Sequence, residues 1–308
     1  MRKVVVVGST NTDMVVKAAR IPEPGETILG GRFLMNPGGK GANQAVAAAR
    51  LGGEVAFVAK VGDDLFGREA KALFAKEGIR TDYVLTDAEE PSGVALIMVD
   101  AKGENCISVA SGANGTLSAA DIAVARGAIE NAGVLLMQLE TPVETVLCAA
   151  QWAAAKGVPV ILNPAPACEL PDALLACLSL ITPNETEAEL LTGVKVTSEA
   201  TAARAAEALC AKGVRRVVIT LGAKGAFVYA DGQGTRVPAV KVAAIDTTAA
   251  GDVFNGALAV ALTEDRPLAE AVSFAAQAAA ISVTRMGAQA SAPYRDEIST
   301  GVFGVVGL

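Results

Sequence analysis

The feature that most constrains the fold is the alternation of short, continuously apolar runs with longer alanine-rich segments. Runs rich in β-branched residues predict strands that are buried on both faces, at 4–7, 55–61, 134–139, 158–162, 178–182 and 216–221. The intervening and following segments predict helices at 41–51, 64–77, 118–131, 143–156, 185–192, 198–212, 251–263 and 267–284. This order predicts an α/β fold, a doubly wound and mostly parallel sheet flanked by helices on both faces.

Two extended segments, 26–35 and 92–112, break the alternation. Neither is followed by a crossover helix, which favours antiparallel strands, and the second contains a turn at 100–104. We expect a small antiparallel β-lid, formed by segments of about 14–35 and 92–112, beside the main sheet of a single domain spanning 1–308. Because the apolar face of this lid needs a cover, we expect a homodimer formed through the lid. The apolar, glycine-rich end at 300–308 has no interpretation.

Charge and hydropathy exclude several classes of partner. The formal net charge of −7 disfavours broad binding to nucleic acid or to an anionic membrane, because both need basic patches. No apolar run reaches the roughly 18 residues of a membrane-spanning helix, and the N-terminus lacks the apolar region of a signal peptide. We therefore expect a soluble, cytoplasmic protein whose partners are neither nucleic acids nor membranes.

Cysteine and histidine usage narrows the chemistry. The 5 cysteines contain no C-x-x-C pair, and the chain has no histidine. A disulfide framework or a zinc site is therefore not expected, and the cysteines are interpreted as thiols of the core. Catalysis by a serine–histidine or cysteine–histidine pair is excluded. Any general base must be Asp, Glu, Lys or Tyr.

Polar residues gather where the predicted strands end. They are Asn11, Asp13, Gln138, Glu140, Asn163, Asn184, Glu185, Glu187, Gly222 and Gly225. Ligands of open parallel α/β sheets bind outside the carboxyl ends of the strands, so this shared placement predicts a site at that edge. Taken singly, each residue is better explained as an ordinary cap or turn.

The segment NPGGKGANQAVAAARLG (36–52) places several glycines before a predicted helix. It is not a Walker A loop, and VGSTNTD after the first strand does not fit the G-x-G-x-x-G fingerprint of dinucleotide-binding proteins. The glycines predict either close approach to a ligand or a tight strand–helix turn. Asn43 and Lys40 at the helix start favour a small polyhydroxylated ligand.

The segment TTAAGDVFNG (247–256) leaves Ala249, Ala250 and Gly251 almost without side chains before Asp252. Free N–H groups and the helix dipole at such a start attract an anion, and the dipole favours the charged form of Asp252. A plain helix cap would need only the aspartate. The segment therefore predicts that a transferring phosphoryl group meets the amides while the carboxylate accepts a hydroxyl proton.

In TPNETEAELLTG (182–193), Asn184 and Glu187 are spaced to lie on one side of a helix start. Their oxygens suit hydrated Mg²⁺. The same spacing fits a capping box, and the two interpretations are equally supported.

Three separated motifs resemble those of the ribokinase-like family of carbohydrate kinases. GGKGANQAVAAARLG resembles the N-terminal signature of the family, DTTAAGDVFNGAL its C-terminal signature, and TPNETEAELLTG its N-x-x-E motif. The likeness runs from about Val4 to about Ser291. It departs from the family in two places: Ala249 stands where many relatives have glycine, and Gln277 lies in a variable stretch near the expected adenine wall.

The resemblance implies a role for each candidate residue. Asp252 is implied as the catalytic base, with an anion hole formed by Ala249, Ala250 and Gly251. Sugar hydroxyls would be held by Asn11, Asp13, Gly39, Lys40, Asn43 and Glu140. Asn184 would meet the phosphates of ATP, Glu187 would bind Mg²⁺ through water, and the ATP site would be lined by Thr220, Gly222 and Gly225. A monovalent cation, K⁺, would be bound mostly through carbonyl oxygens by Asp246, Thr248, Ser282, Arg285, Gly287 and Ser291.

The expected function is ATP-dependent phosphorylation of D-ribose at O5, because Asn11, Asp13 and Glu140 can pair with its hydroxyls. Another substrate on the same machinery is the first alternative: a nucleoside, a fructose-like sugar or a ketodeoxy-sugar acid. A regulator that binds sugar or nucleotide without catalysis is disfavoured, because it has no use for a base at Asp252. A nicotinamide-dependent dehydrogenase is disfavoured by the missing glycine fingerprint.

Overall fold

The computed structural model of the chain describes residues 3–299. Its strands are β1 Val4–Val7, β2 Asn11–Lys17, β3 Arg32–Gly38, β4 Val55–Gly62, β5 Val84–Asp87, β6 Gly93–Val99, β7 Asn105–Ala110, β8 Val134–Met137, β9 Val160–Leu162, β10 Leu180–Ile181, β11 Val217–Thr220, β12 Ala226–Ala230 and β13 Gln233–Val237. Its helices are α1 Lys40–Arg50, α2 Leu65–Lys76, α3 Ala119–Ile122, α4 Arg126–Glu130, α5 Val143–Ala155, α6 Asp172–Leu175, α7 Glu185–Thr192, α8 Glu199–Ala211, α9 Ala250–Thr263, α10 Leu268–Ser282 and α11 Arg295–Ser299.

The main sheet has nine strands in the order β13-β12-β11-β10-β9-β8-β1-β4-β5. The chain begins near the middle, at β1, builds β4 and β5 on one side, and then builds β8 to β11 on the other. All pairs from β5 to β11 are parallel. The predicted doubly wound, mostly parallel α/β fold is confirmed.

Both faces of the main sheet are covered by helices, which explains the continuously apolar strands. The four valines of β1 are fully buried, and they alternate between the two faces. Val4 and Val6 pack with α1, α2, α9 and α10, whereas Val5 and Val7 pack with α3 to α8. Strands enclosed in this way need apolar side chains at every position.

The structure differs from the prediction at one hairpin and at one helix. β12 and β13 form an antiparallel hairpin at the edge of the main sheet that the sequence analysis missed. β13 has the sequence QGTRV and is largely exposed, so it lacks the apolar run that identified the other strands. The predicted helix 118–131 is broken into α3, a 3-10 turn at Ala123–Ala125, and α4.

A second sheet of four strands, in the order β3-β2-β6-β7, lies beside the first and is called the lid. Its outer pairs are antiparallel, but β2 and β6 are parallel, so the prediction of an antiparallel lid is wrong for the central pair. The reason is topological: β2 follows β1 and β6 follows β5, and these two main-sheet strands run in the same direction.

The cysteines do not occupy the core. Cys106 and Cys168 are exposed, so the interpretation as core thiols is wrong for these two, whereas Cys148, Cys177 and Cys210 are half-buried and pack against the core. Within residues 3–299, no helix is both long enough and apolar enough to cross a lipid bilayer.

Helices α1 and α9 approach each other closely at Gly256. A Cβ atom at this position would lie 2.6 Å from the carbonyl oxygen of Gln44 and 2.8 Å from Cβ of Ala47. Only a glycine lets the two helices meet at this separation. The contact matters for the site, because α1 and α9 both contribute side chains to it.

We predict that Gly256→Val lowers the free energy of unfolding by about 1–3 kcal/mol, because the added side chain overpacks the contact. Urea denaturation measures the change. Gly127→Ala is the matched control, since a Cβ there meets no atom within 4 Å and alanine favours the helix. Equal midpoints for Gly256→Val and the wild type would contradict the packing described.

Candidate active site

The start of α9 forms the floor of the site. Ala249 precedes the helix in a left-handed conformation, with φ 58° and ψ 13°. The amide of Ala250 donates to the carbonyl oxygen of Thr247 at 3.3 Å, so it is not as bare as predicted. The amides of Gly251 and Asp252 lie in the first helical turn, where an α-helix offers no acceptor. Of the amides predicted to attract an anion, that of Ala250 is therefore already hydrogen-bonded, whereas those of Gly251 and Asp252 are free of helical acceptors.

A cleft of about 220 Å³ opens over this helix start. It lies at the carboxyl edge of the main sheet, as the strand-end residues predict. Of the residues predicted for the site, the cleft brings together Lys40, Asn184, Glu187, Thr220 and 249–252. Lys40, assigned to the sugar by resemblance, therefore also lines the cleft that contains the residues assigned to ATP.

Two amides of α1 hold the Asp252 carboxylate. Asn43 Nδ2 donates to Oδ2 and Gln44 Nε2 donates to Oδ1, each at 2.9 Å. Asp252 is 6% exposed, and burial raises the pKa of its carboxyl. Lys40 and the two amides pull this pKa down but do not outweigh burial. Burial therefore shifts the pKa of Asp252 in the direction opposite to the one expected from the helix dipole.

Carboxylates surround the Lys40 ammonium. Burial alone would lower the pKa of Lys40, but the negative charges of Asp252, Glu140, Glu187 and Asp13 raise it. Lys40 therefore stays charged, and its charge acts on the Asp252 carboxylate. Such a cation can neutralise both a buried carboxylate and an incoming phosphate.

Glu140 serves the start of α1 as well as the site. Its Oε2 accepts the backbone N–H of Lys40 at 2.9 Å and the hydroxyl of Ser9 at 2.5 Å. A carboxylate at a helix N-terminus is stabilised by the free amides there. Glu140 therefore fixes the helix that carries Asn43.

The glycines of the 38–41 segment pack against the β1–β2 connection. Gly39 has φ 87°, and a Cβ there would lie 2.6 Å from the backbone nitrogen of Asn11. A Cβ at Gly38 would collide with the Asp13 carboxylate. Of the two interpretations left open, the geometry supports the tight turn, which brings Asn11 and Asp13 against the start of α1.

Asn184 and Glu187 form a capping box. Asn184 Oδ1 accepts the N–H of Glu187, and Glu187 Oε2 accepts the N–H of Asn184, both at 2.8 Å. Burial raises the pKa of Glu187, while Lys40 lowers it. The capping interpretation is present in the geometry, and both side chains also line the cleft.

The residues predicted for a monovalent cation are only partly assembled. Asp246 Oδ1 accepts the N–H and the hydroxyl of Thr248, at 2.9 and 2.6 Å, and Oδ2 accepts the N–H of Gly287 at 2.9 Å. Burial works against ionisation, but these hydrogen bonds hold the pKa of Asp246 below its usual range. The guanidinium of Arg285 instead pairs with Glu297 at 2.7 Å.

The hydroxyls of the two serines predicted for the monovalent cation donate to nearby backbone carbonyls. Ser282 donates to the carbonyl oxygen of Ala279, and Ser291 donates to that of Ala288. These hydrogen bonds use the hydroxyl protons within the local turns, and the assignment of both residues to a cation stays a prediction.

Gly222 and Gly225 are not among the residues that line the cleft. Gly222 begins a 3-10 turn, Gly222–Lys224, between β11 and β12, and Gly225 follows this turn. A Cβ at Gly225 would collide with the backbone at 237–239, so the fold itself requires glycine there. Their contact with ATP stays a prediction.

Several site residues were missed by sequence reasoning. The sequence analysis did not identify Gln44 and Asn114 as candidates, and it assigned no role to Gln138, Asn163 and Asn255. Asn114 holds the N–H and the carbonyl of Thr10 and donates to Asn11 Oδ1 at 2.8 Å. Gln138 and Asn163 could have been identified from their position after a strand. Gln44 lies in an alanine-rich helix, and nothing in the sequence around it indicates a role in the site.

A larger cavity, of about 580 Å³, lies at the amino ends of β1 and β4. Its basic side chains Lys3 and Arg80 pair with Glu54 and Asp82. Size alone therefore does not identify the site. The smaller cleft contains the buried carboxylate and the helix start.

A family model described as pfkB family carbohydrate kinase matches residues 1–295. The chain belongs to the pfkB family of carbohydrate kinases. This agrees with the resemblance of the three sequence motifs. The match extends over the main sheet, the lid and every residue of the cleft.

Similar proteins support the assignment of this carbohydrate kinase. It is 50% identical over 298 residues to a Haemophilus influenzae protein named ribokinase, covering 96% of this chain and 97% of the relative. It is 39% identical over 291 residues to a Salmonella typhi protein named deoxyribokinase, covering 94% and 95%. An Arabidopsis thaliana ribokinase, solved with ribose and ATP, is similar at a TM-score of 0.91 and 35% identity, covering 97% of this chain and 98% of that one.

We predict an unusual titration for Asp13 in this kinase. Burial, then the charges of Glu140 and Asp252, raise the pKa of Asp13 to about 6. Glu140→Gln removes one negative charge, so we expect it to lower this pKa. Carbon-13 NMR of labelled aspartate side chains measures both values. Glu104→Gln, in the hairpin of the lid, is the control that leaves Asp13 unchanged. Titration of Asp13 near the ordinary value of about 4 would contradict the burial described.

Proposed function

We propose that this carbohydrate kinase transfers the γ-phosphoryl group of ATP to O5 of D-ribose, giving D-ribose 5-phosphate and ADP. One observation carries the proposal: a buried carboxylate, Asp252, lies in the first turn of a helix whose start has almost no side chains. A site of this kind can accept a hydroxyl proton and stabilise a phosphoryl group in the same place.

In the proposed reaction, Asp252 accepts the proton of the O5 hydroxyl while O5 bonds to the γ-phosphorus. The bond from that phosphorus to the bridging oxygen breaks, and ADP leaves with the electron pair. The raised pKa of Asp252 makes its carboxylate a better proton acceptor than an exposed one. In a loose transition state the proton moves late, so Asp252 also orients the hydroxyl.

Charge on the phosphoryl oxygens is stabilised by groups of this chain. The amides of Gly251 and Asp252 and the dipole of α9 face the cleft. Lys40 reaches the same cleft from α1, so we propose that it contacts the phosphates as well as the sugar. Asn184 and Thr220 line the cleft on the side assigned to ATP.

The sugar site is proposed between the lid and the start of α1. Asn11, Asp13, Asn43 and Glu140 would pair with ribose hydroxyls there, beside the backbone of Gly39. Asn43 Oδ1 is buried without a hydrogen-bond partner in the structure, as expected for an acceptor that a hydroxyl would satisfy. A sugar without matching hydroxyls would leave such groups unsatisfied, at a cost of about 1–3 kcal/mol each. The relatives named ribokinase support the choice of ribose.

Two cations are part of the proposal. Glu187, a half-buried carboxylate in the cleft, fits Mg²⁺ bound through water, which would neutralise charge on the phosphates. Asp246, held ionised by Thr248 and Gly287, fits K⁺ beside the segment that leads into α9. Carbonyls of Ser282, Arg285, Gly287 and Ser291 would complete that site.

We also propose a cytoplasmic homodimer formed through the lid. Cross-strand register places Met14, Phe33, Met35 and Leu96 away from the side of the lid that carries Asp13. Phe33 is 59% exposed and Leu96 is 56% exposed. An apolar sheet face of this kind is typical of an interface.

We predict that Asp252→Asn lowers kcat with ribose about 10²- to 10⁴-fold, because asparagine cannot accept the proton. A coupled ADP assay with Mg²⁺ measures the rate, with and without K⁺. The panel of acceptors is ribose, 2-deoxyribose, fructose and a nucleoside. Strong turnover of another acceptor, with no turnover of ribose, would refute ribose as the substrate. An unchanged rate of ADP release by Asp252→Asn would refute the role of Asp252 as the base.

We predict that Leu96→Lys converts a dimer into a monomer, because a charge in the apolar lid face opposes its burial. Light scattering after size exclusion measures the mass. Val124→Lys is the matched control, since Val124 is 61% exposed outside the lid. A monomeric wild type, or a dimeric Leu96→Lys protein, would refute the lid interface.

A further inference from the structure

A buried row of amide side chains lies behind the Asp252 carboxylate. Gln138, directly after β8, donates through Nε2 to Gln44 Oε1 at 2.6 Å. Gln44 Nε2 donates to Asp252 Oδ1 at 2.9 Å and to Asn163 Oδ1 at 3.0 Å. Gln44 and Gln138 are both 0% exposed, so water does not compete for these hydrogen bonds.

The hydrogen bonds define which way the Gln44 amide points. Both N–H bonds are used on Asp252 and Asn163, and the oxygen receives the N–H of Gln138. A flipped amide would place its oxygen against the oxygens of Asp252 and Asn163 and its NH₂ against that of Gln138. Each such contact would be repulsive, and a buried polar group without a partner costs about 1–3 kcal/mol. The amide is therefore held in one orientation.

The two carboxylate oxygens consequently differ in their surroundings. Oδ1 is bound to Gln44, which is fully buried behind it. Oδ2 is bound to Asn43, whose own Oδ1 is buried and has no hydrogen-bond partner in the structure. An unpartnered buried acceptor calls for a ligand donor. Oδ2 is therefore the oxygen next to the position of an incoming hydroxyl, and Oδ1 is the anchored one.

We propose that Gln44 is a positioning residue for phosphoryl transfer, which anchors Asp252 through Oδ1 and leaves Oδ2 to accept the hydroxyl proton. The inference rests on the proposed role of Asp252 as the base. Gln44 does not contact the sugar or ATP in this account. It acts by restricting rotation of the carboxylate and by stabilising its charged form, and Gln138 acts by orienting Gln44.

The row continues to the helix start. Asn163 Nδ2 donates to the carbonyl oxygen of Thr182 at 3.3 Å, and Thr182 donates to Asn255 Oδ1 at 2.6 Å. Asn255 Nδ2 in turn donates to the carbonyl oxygen of Gly251 at 2.8 Å. The same hydrogen-bonded row therefore connects the carboxylate with the backbone of the amides that would receive the phosphoryl group. The steps from Gln138 to Asn255 are buried and the last one, to Gly251, is part-buried, so solvent does not replace the hydrogen bonds of Gln44 when that residue is changed.

Several charged groups also act on Asp252 and remain in place when Gln44 is changed. They are Lys40, Glu140, Asp13 and Glu187. Removing the Gln44 donor takes away one interaction that favours the charged form, so the pKa of Asp252 rises. The acidic limb of the pH profile of kcat should therefore move to higher pH.

The test compares Gln44→Met with the wild type in the coupled ADP assay across pH. Methionine keeps the approximate size but donates no hydrogen bond. We expect kcat with ribose to fall about 10- to 100-fold, as for loss of a hydrogen bond to a charged group. The acidic limb of the pH profile of kcat should move to higher pH, and the KM for ribose should change little. Gln44→Glu places a second carboxyl against Asp252, so its limb should shift further.

Thr263→Val is the control. Thr263 lies at the other end of α9, buried, and donates only to the carbonyl oxygen of Val260 in its own helix. The Thr263→Val substitution removes a buried hydrogen bond that does not belong to the row of amide side chains, so the pH profile of kcat should stay that of the wild type. A lower kcat in Gln44→Met with an unshifted limb would reduce Gln44 to a packing residue and overturn the proposal.

A second readout separates this inference from the proposed function. Carbon-13 NMR gives the pKa of the Asp252 carboxyl directly, with its signal identified by its absence in Asp252→Asn. An upward shift in Gln44→Met supports the anchor whatever the enzyme phosphorylates, and an unchanged pKa overturns it. No ribose turnover by the wild type would refute the proposed function alone. If Gln44→Met does not fold, Gln138→Met should give a smaller shift in the same direction, and no shift would again overturn the proposal.

Discussion

Burying the Asp252 carboxylate costs free energy unless hydrogen bonds and a countercharge offset it. Much of the carboxyl edge of the main sheet supplies that compensation: two adjacent amides of α1, a lysine one turn earlier, and a helix dipole beneath. The compensation is incomplete, since burial still raises the pKa of the carboxyl. A proton acceptor that is buried, held and only partly stabilised is suited to take a proton from an alcohol.

Close packing of α1 on α9 is what makes this compensation geometrically possible. Asn43 and Gln44 reach the carboxylate because Gly256 lets the two helices touch. Glu140 and Ser9 fix the start of α1 from the strand side. Sheet, helix pair and reaction centre are therefore mutually dependent, and small shifts between α1 and α9 should register at the carboxylate.

The sequence predicted the main sheet well because strands enclosed by helices leave a clear pattern, as in the four valines of β1. It selected Asp252, Asn184 and Glu187 as candidates because their neighbours in the chain are unusual, and the structure places all three in one cleft. It missed β13, whose polar edge position leaves no apolar run, and the parallel β2–β6 pair, which depends on topology. It missed Gln44 because its partners, Gln138, Asn163 and Asp252, are remote in sequence. The direction of the pKa shift of Asp252 also could not be predicted from the sequence, because it depends on how deeply the folded protein buries the carboxyl.

Ala249 adopts a backbone conformation that glycine accepts easily and alanine accepts at a cost of about 1 kcal/mol. The preceding turn, tied at Asp246 to Thr248 and Gly287, must impose it. The backbone at the start of α9 is therefore strained, and the hydrogen bonds that maintain the strain lie outside the cleft. A substitution at Asp246 would therefore alter the entry of the chain into α9, and with it the direction of the Gly251 and Asp252 amides, from a position outside the cleft.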